Sequence, residues 1–455
     1  METNAFIHFG LNTFNDREWG YGDTDPATFQ PTQLDCRQWT STLKAAGIKG
    51  VILTAKHHDG FCLWPYKGTD YHVGTLPDTP DPGNPSQEQW PVDVVSMLAE
   101  ACRGDSLRMG LYISPWDRHH PDYGREEYVA YYHDQLRDLL TRYGSGLMEL
   151  WLDGANGGDG WYGGACETRT IDRRTYYDLP RILAMADSLA PKALIFSDGG
   201  PGCRWVGNER GEAGQTNWSM LTGKVYPGYP HPEELATGHA DGSQWVPAEC
   251  DVSIRPGWFY HPEEDSCVKS PEQLLEIYYR SVGRNGLLLI NLPPDRNGRI
   301  HPTDSANLVG LRKLLERELG HDLLAGLEAK ATNVRGPAFT TRALTDGDYH
   351  TYWATADSVT TAQLVFTFQQ PRRIDRLMLQ EYIPLGQRVK AFTADYLKGG
   401  TWHPIPIDEA TTTIGYKRLL RFAPIEAEAI RLSFVDSRGP LCLNRIAAYD
   451  SKRAM

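Results

Sequence analysis

Residues 147–154 read Leu-Met-Glu-Leu-Trp-Leu-Asp-Gly, an apolar run closed by a carboxylate and a glycine. Side chains alternate faces along a β-strand. Alternation sends Met148, Leu150 and Leu152 outward, towards a covering helical layer. It sends Glu149, Trp151 and Asp153 inward. Asp153 is then the last inward residue, and Gly154 turns the chain.

The same unit recurs on both sides of this stretch. Short apolar runs at residues 5–9, 50–55, 109–114, 193–197, 250–254 and 286–292 read as buried strands. Helical spacing fills residues 36–46, 93–102, 125–143, 174–189, 271–282 and 305–319, the first stopped by Gly47. Strands alternating with helices imply a parallel sheet covered by helices, and this many units imply closure into a (β/α)8-like barrel. The later units are irregular, with a loop rich in Pro, Gly and His at residues 226–244. Beyond residue 325 the long helices stop. Strand-like runs at 362–368, 376–381, 389–396, 416–422 and 429–435 imply a β-sandwich. The expected division is a barrel over residues 1–325 and a sandwich over 326–455.

Composition narrows the function. The 455 residues carry a formal charge of −12, which repels phosphate backbones and argues against a nucleic-acid partner. No run is long and apolar enough to span a membrane. Thirteen Trp and 23 Tyr point weakly to carbohydrate, whose C–H faces pack on aromatic rings. The eight cysteines show no CxxC pair, so each reads first as a small buried apolar side chain. The first strand begins almost at residue 1. That leaves two localisations open: periplasmic or secreted, with the signal segment absent from this chain, or cytoplasmic.

Barrel active sites lie at the C-terminal mouth of the strands, so polar residues closing apolar strands carry the chemistry. Asp153 at that place either reaches a ligand, with Trp151 as a wall below it, or caps the next turn. Lys56-His-His-Asp-Gly-Phe61 follows the 50–55 strand. His57 and His58 there either bind hydroxyls or serve structure. A metal is poorly served by two adjacent imidazoles on a strand, and no HExxH spacing is present. Ile7-His-Phe-Gly10 places His8 on the first strand, near Glu18-Trp-Gly20, and Gly110–Ser114 turns Tyr112 inward. Arg204-Trp-Val-Gly-Asn-Glu-Arg-Gly211 reads as a loop after the 193–197 strand. Glu209 in it is by itself an ordinary surface carboxylate.

Taken together, these motifs resemble glycoside hydrolase family 29, the α-L-fucosidases, in order and spacing over roughly residues 5–320. Residues 151–172, the 204–211 loop and Glu249-Cys-Asp-Val-Ser-Ile-Arg-Pro-Gly-Trp-Phe-Tyr-His261 resemble the subgroup acting on α-1,3 and α-1,4 branches. Residues 343–354 resemble the opening of a discoidin-like sandwich. The resemblance implies a retaining exo-α-L-fucosidase acting on fucosylated oligosaccharides or glycoconjugates of Lewis type, without cofactor or metal. It implies Asp153 as nucleophile and Glu209 as acid/base. His8, Glu18, Trp19, His57, His58 and Tyr112 would line the fucose pocket. Arg204 would point at Asp153 or the sugar, and Glu249, Asp251 and Arg255 would contact a branching galactose. Three alternatives stay open: a permissive fucosidase accepting α-1,2 and aryl fucosides, a metal-dependent barrel hydrolase using His57, His58 and His119 or His120, and a non-catalytic sugar-binding barrel.

Overall fold

Eight parallel strands close into a barrel: β1 (Thr3–Ile7), β2 (Gly50–Lys56), β3 (Arg108–Ile113), β4 (Leu147–Trp151), β5 (Leu194–Ser197), β6 (Cys203–Trp205), β7 (Ala248–Ser253) and β8 (Gly286–Asn291). Each pairs with its neighbours in chain order, and β8 returns to β1. The computed structural model describes residues 2–74, 92–223 and 232–452.

Among the described residues, six long helices cover the barrel: α1 (Cys36–Ala45), α2 (Val94–Asp105), α3 (Glu126–Tyr143), α4 (Leu179–Leu189), α5 (Pro271–Arg280) and α6 (Pro302–Leu319). Their starts are set by local chemistry. The Asp35 and Asp93 carboxylates accept the free N–H groups of the first turn, and Ser270 with Gln273 forms a reciprocal capping box before Pro271. Among the described residues, no long helix separates β5 from β6 or β6 from β7, which is the irregularity anticipated for the later units. Of the loop expected at residues 226–244, residues 226–231 lie outside the described residues. Pro232–Thr237 forms a short helix and Gln244–Trp245 a short strand.

Three expectations need correction. The 204–211 stretch is not wholly a loop, because its first residues form the three-residue strand β6. α4 begins at Leu179 rather than at 174, since turns occupy the residues ahead of it and Asp178 takes a left-handed φ of 49°. Met148 does not face the helices. The β3–β4 register slips between the Met109–Leu147 and Gly110–Glu149 pairs, so Met148 is the extra residue of a bulge. Its side chain packs inside the barrel with Phe6, Ile52, Trp151 and Phe196. Gly50 makes the space, since a Cβ there would stand 2.5 Å from the Met148 sulfur.

The C-terminal region is a seven-stranded antiparallel sheet, matching a β-sandwich. The runs expected at 362–368 and 376–381 are one strand, β9 (Ala362–Glu381). Those at 416–422 and 429–435 fall mostly in another, β11 (Arg418–Ser437), which pairs with β9 and with β10 (Val389–Lys398), while β12 (Cys442–Tyr449) pairs on the other side of β9. Register shifts after Thr367 and Ile374 bend the β9–β11 pair around a core that includes Trp353, Phe366, Phe392 and Phe434. Parallel strands bring every strand-end loop of the barrel to one mouth. His57 and His58 follow β2, Asp153 follows β4, Asp198 follows β5, Glu209 follows β6 and Trp258 follows β7.

The sandwich is tied to the barrel by buried polar contacts. Asn285, just before β8, donates from Nδ2 to Asn217 O at 3.1 Å and Ser219 Oγ at 3.0 Å, and its Oδ1 accepts the Tyr416 N–H at 2.7 Å. It does so at a φ of 62°, which Asn tolerates better than Ala. Asn285→Ala is therefore expected to destabilise the protein by about 2–4 kcal/mol, from lost buried hydrogen bonds and backbone strain. A urea midpoint equal to the parent's would contradict this account of the junction.

Candidate active site

At the mouth of the barrel lies a cavity of about 280 Å³, lined by residues from seven strand-end segments. Its floor is aromatic. Trp151 stacks on Phe196 at 3.8 Å between centroids and packs against Phe6 and Tyr112. Trp19, about half exposed, stands at the rim against His58 and Trp116.

Asp153 sits on the cavity wall. The Tyr112 hydroxyl donates to its Oδ2 at 3.0 Å and the Ala155 N–H to its Oδ1 at 2.7 Å. Burial raises its pKa, and these two donors work against that by favouring the carboxylate. Gly154 lets the Asp198 loop come close, since a Cβ there would lie 2.3 Å from the Asp198 carboxylate.

Glu209 enters the same cavity from the loop after β6. Asn208 shapes that loop, with Oδ1 accepting the Arg210 N–H and Nδ2 donating to Glu212 O. Burial pushes the Glu209 pKa up, and the charges of Asp153 and Glu18 push it further. One donor opposes them, the Trp258 indole N–H at 3.2 Å from Oε2. Glu209 therefore senses the charge of Asp153 in the same cavity, and the carboxyl with more donors is Asp153.

The three histidines are neutral. Burial holds His8 and His58 down to about 3 and His57 well below its ordinary value. Their tautomers follow from their partners. Asn291 uses Nδ2 to donate to Ser253 Oγ and Trp258 O, so its Oδ1 accepts, and His8 Nδ1 must carry the proton at 2.9 Å. Ser114 Oγ donates to Trp116 O, so it accepts from His58 Nδ1 at 2.7 Å. Each Nε2 is left as a lone pair, and that of His58 stands 3.9 Å from Asp153 Oδ2, too far for a direct hydrogen bond. A ligand hydroxyl can fill that gap.

Of the sequence-predicted residues, His8, Glu18, Trp19, His57, His58, Tyr112, Trp151, Asp153, Glu209 and Asp251 all line the cavity. Asp251 accepts from the Trp205 indole at 2.9 Å. Three do not line it. Arg204 lies between two inward residues, Cys203 and Trp205, and so faces the outer layer. Its guanidinium donates to Leu235 O, Val246 O, Trp218 O and Asn217 Oδ1 instead of meeting Asp153. Glu249 is inward but deeper than Asp251. It accepts the Trp151 indole N–H at 2.8 Å and pairs with Glu149, which burial pushes up to about 7. Arg255 has left the barrel face and is fully buried in a two-bonded pair with Asp304 at 2.8 and 2.9 Å, with Asp265 beside it.

Phe6, Asp198, Trp205 and Trp258 line the cavity and were not singled out from sequence. Strand alternation from Cys203 would have found Trp205, and the strand-end position would have found Asp198. Trp258 had no such signal. The histidine set of the metal-dependent alternative does not converge. His119 stacks between Tyr71 and Trp161 and bonds Gly22 O, while His120 packs on Tyr131. Among the described residues, no three-donor cluster includes His57, His58, His119 or His120.

A closed (β/α)8 barrel carrying paired carboxyls and neutral imidazoles over an aromatic floor defines a barrel glycoside hydrolase. Residues 1–318 match the family model described as alpha-L-fucosidase, and residues 328–446 the F5/8 type C domain. Alpha-L-fucosidase 1 of Arabidopsis thaliana is 38% identical over 460 residues, covering 98% of this chain and 85% of its own. Among solved structures, a glycoside hydrolase 29 family member from an unknown rumen bacterium is 41% identical, with a TM-score of 0.87 over 100% of this chain and 76% of the other. A Ruminococcus gnavus GH29 fucosidase in complex with fucose is 30% identical, with a TM-score of 0.86 over 99% and 93%. The chain belongs to the α-L-fucosidase family, glycoside hydrolase family 29.

The buried Arg255 has a structural consequence that can be measured. Arg255→Ala strands the Asp304 carboxylate without its partner and is expected to cost about 3–5 kcal/mol of stability. The urea midpoint should fall accordingly, and an unchanged midpoint would return Arg255 to the ligand.

Proposed function

We propose that this member of the family is a retaining exo-α-L-fucosidase that removes terminal α-1,3/1,4-linked fucose from branched, Lewis-type glycans. The observation that carries the proposal is the unequal setting of two carboxyls in one cavity. Asp153 has two donors that favour its ionised form. Glu209 has a single indole donor and faces the charge of Asp153, so it keeps a proton to higher pH.

In the first step the Asp153 carboxylate attacks the anomeric carbon. The Glu209 proton passes to the glycosidic oxygen, and the aglycone leaves with that bond's electron pair. In the second step the Glu209 carboxylate takes a proton from water, the water oxygen attacks the same carbon, and the Asp153 ester bond breaks. The anomeric configuration is retained after two inversions. Tyr112 and the Ala155 N–H hold Asp153 in line, so little reorganises as charge moves.

The pocket chemistry suits a 6-deoxy sugar. The neutral Nε2 atoms of His8 and His58 accept hydroxyls in a largely dry site, where an unpaired polar group costs about 1–3 kcal/mol. The methyl group gains about 0.8 kcal/mol from an apolar wall, which Phe6, Trp151 and Trp258 offer. For the linkage, the support is the 204–211 element, from which both Trp205 and Glu209 face the cavity. Asp251, bonded to Trp205, adds a polar group on that wall.

Asp153→Gly should lower kcat by about 10³-fold or more while the fold survives. Azide should then restore cleavage of an aryl fucoside. Wild-type-like turnover would remove Asp153 from the mechanism, and release of β-fucose, followed by NMR, would exclude retention. A Lewis trisaccharide should be cleaved far faster than an α-1,2-fucosyl disaccharide. Equal rates would favour the permissive reading.

A further inference from the structure

Residues 257–261 carry Trp258 over the cavity on a loop with no regular secondary structure, yet the polar groups around Trp258 are fixed. The Trp258 N–H donates to Glu18 Oε2 at 2.7 Å and the Phe259 N–H to Glu18 Oε1 at 3.0 Å. Asn291 Nδ2 donates to Trp258 O at 2.7 Å. Glu18 is held from behind by His261, whose Nε2 lies 2.7 Å from Glu18 Oε1 and whose Nδ1 lies 2.8 Å from Asp16 Oδ1. Carboxylate oxygens only accept, so both ring nitrogens must donate and the ring is an imidazolium. Gly257 permits the approach, since a Cβ there would stand 2.6 Å from Glu18 Oε1.

This accounts for Glu18 differently from a simple sugar ligand. Its two oxygens already accept three protein hydrogen bonds: two fix the main chain at Trp258 and Phe259, and the third comes from the His261 ring. The Trp258 ring packs on His8 at 5.1 Å and ends in the indole N–H that donates to Glu209 Oε2. We propose that His261, acting through Glu18, is a positioning residue that sets the Trp258 indole against Glu209 and so governs when the acid/base gives up its proton. The inference rests on the reading of Glu209 as the acid/base.

The direction of the effect follows from the donor. An N–H donated to a carboxylate favours its ionised form, so losing it raises the Glu209 pKa. The acid must be protonated to act, so the alkaline limb of the rate profile moves to higher pH. The groups facing Glu209 are Asp153, Glu18 and Asp251, with Trp258 as donor. Those facing His261 are Asp16, Glu18, Glu263 and Glu264, with Arg296 3.6 Å from the same Asp16 oxygen that His261 bonds. Burial works against the charge on His261, and its bonds to Asp16 and Glu18 outweigh that and raise its pKa.

The test compares kcat/KM against pH for the whole chain on a natural fucosyl disaccharide and on an aryl fucoside with a good leaving group. Variants are Trp258→Phe, His261→Phe, His261→Ala, the Trp258→Phe/His261→Phe pair and Glu209→Ala. Two His261 variants are used so that misfolding of one, read by thermal melting, leaves the other. The expected result is an upward move of the alkaline limb by about half a pH unit in Trp258→Phe. The His261 variants should move equally, and the double variant no further. The His261 variants should also lose about tenfold or more on the disaccharide, with little loss on the activated aryl fucoside. A folded His261 variant with an unmoved limb and equal losses on both substrates would overturn the proposal. An alkaline limb that persists in Glu209→Ala would overturn the acid/base reading beneath it.

Discussion

Asp153 and Glu209 line one cavity at the barrel mouth, where burial raises both pKa values and the Asp153 charge raises that of Glu209 further. A carboxyl that keeps its proton cannot serve as a nucleophile. The surrounding residues break that symmetry. Tyr112 and the Ala155 amide give Asp153 two hydrogen bonds that the protonated form would lose. Glu209, on the opposite segment, keeps one indole donor and takes the full effect of its neighbour's charge. The neutral imidazoles add acceptors without adding a cation that would pull both carboxyls down together.

That electrostatic division depends on rigid supports, and the fold supplies them in layers. Parallel strands deliver every functional loop to one rim. Beneath the rim, the Trp151 ring is fixed by stacking on Phe196 and by its indole bond to Glu249, whose burial beside Glu149 keeps a proton on the pair. Outside the barrel wall, Arg204 and Arg255 are spent on carbonyls and carboxylates that tie the loops down. Their burial is compatible with charge only because those partners are complete. The sandwich contributes from further out, through the Asn285, Asn217 and Gln387 contacts.

Much of this was legible from residues 147–154 and their repeats, because strand alternation and strand-end position are local properties. They located Asp153 over Trp151, and they located His57, His58 and Tyr112. The same rule failed at Met148, where a bulge inserts one residue and no local pattern announces it. It was not applied at Cys203–Trp205, a strand too short to announce itself, so Arg204 read as a loop residue and its outward direction stayed hidden. Glu249 and Arg255 were expected to contact a sugar only through the family resemblance of residues 249–261. What they bind lies far along the chain, at Trp151 and Asp304, and pairing across such distances leaves no trace in spacing. Trp258 illustrates the complementary case: its role depends on Glu18 and His261, which fix a loop that has no periodicity to read.

The central claim is that Asp153, and not its partner, forms the bond to sugar. Incubation with a 2-deoxy-2-fluoro-fucosyl fluoride, followed by proteolysis and mass spectrometry, tests this most directly. One fluorofucosyl group should be found per chain, on the peptide carrying Asp153 and on that side chain. A label on Glu209, or a chain that turns the reagent over with no covalent adduct, would contradict the account.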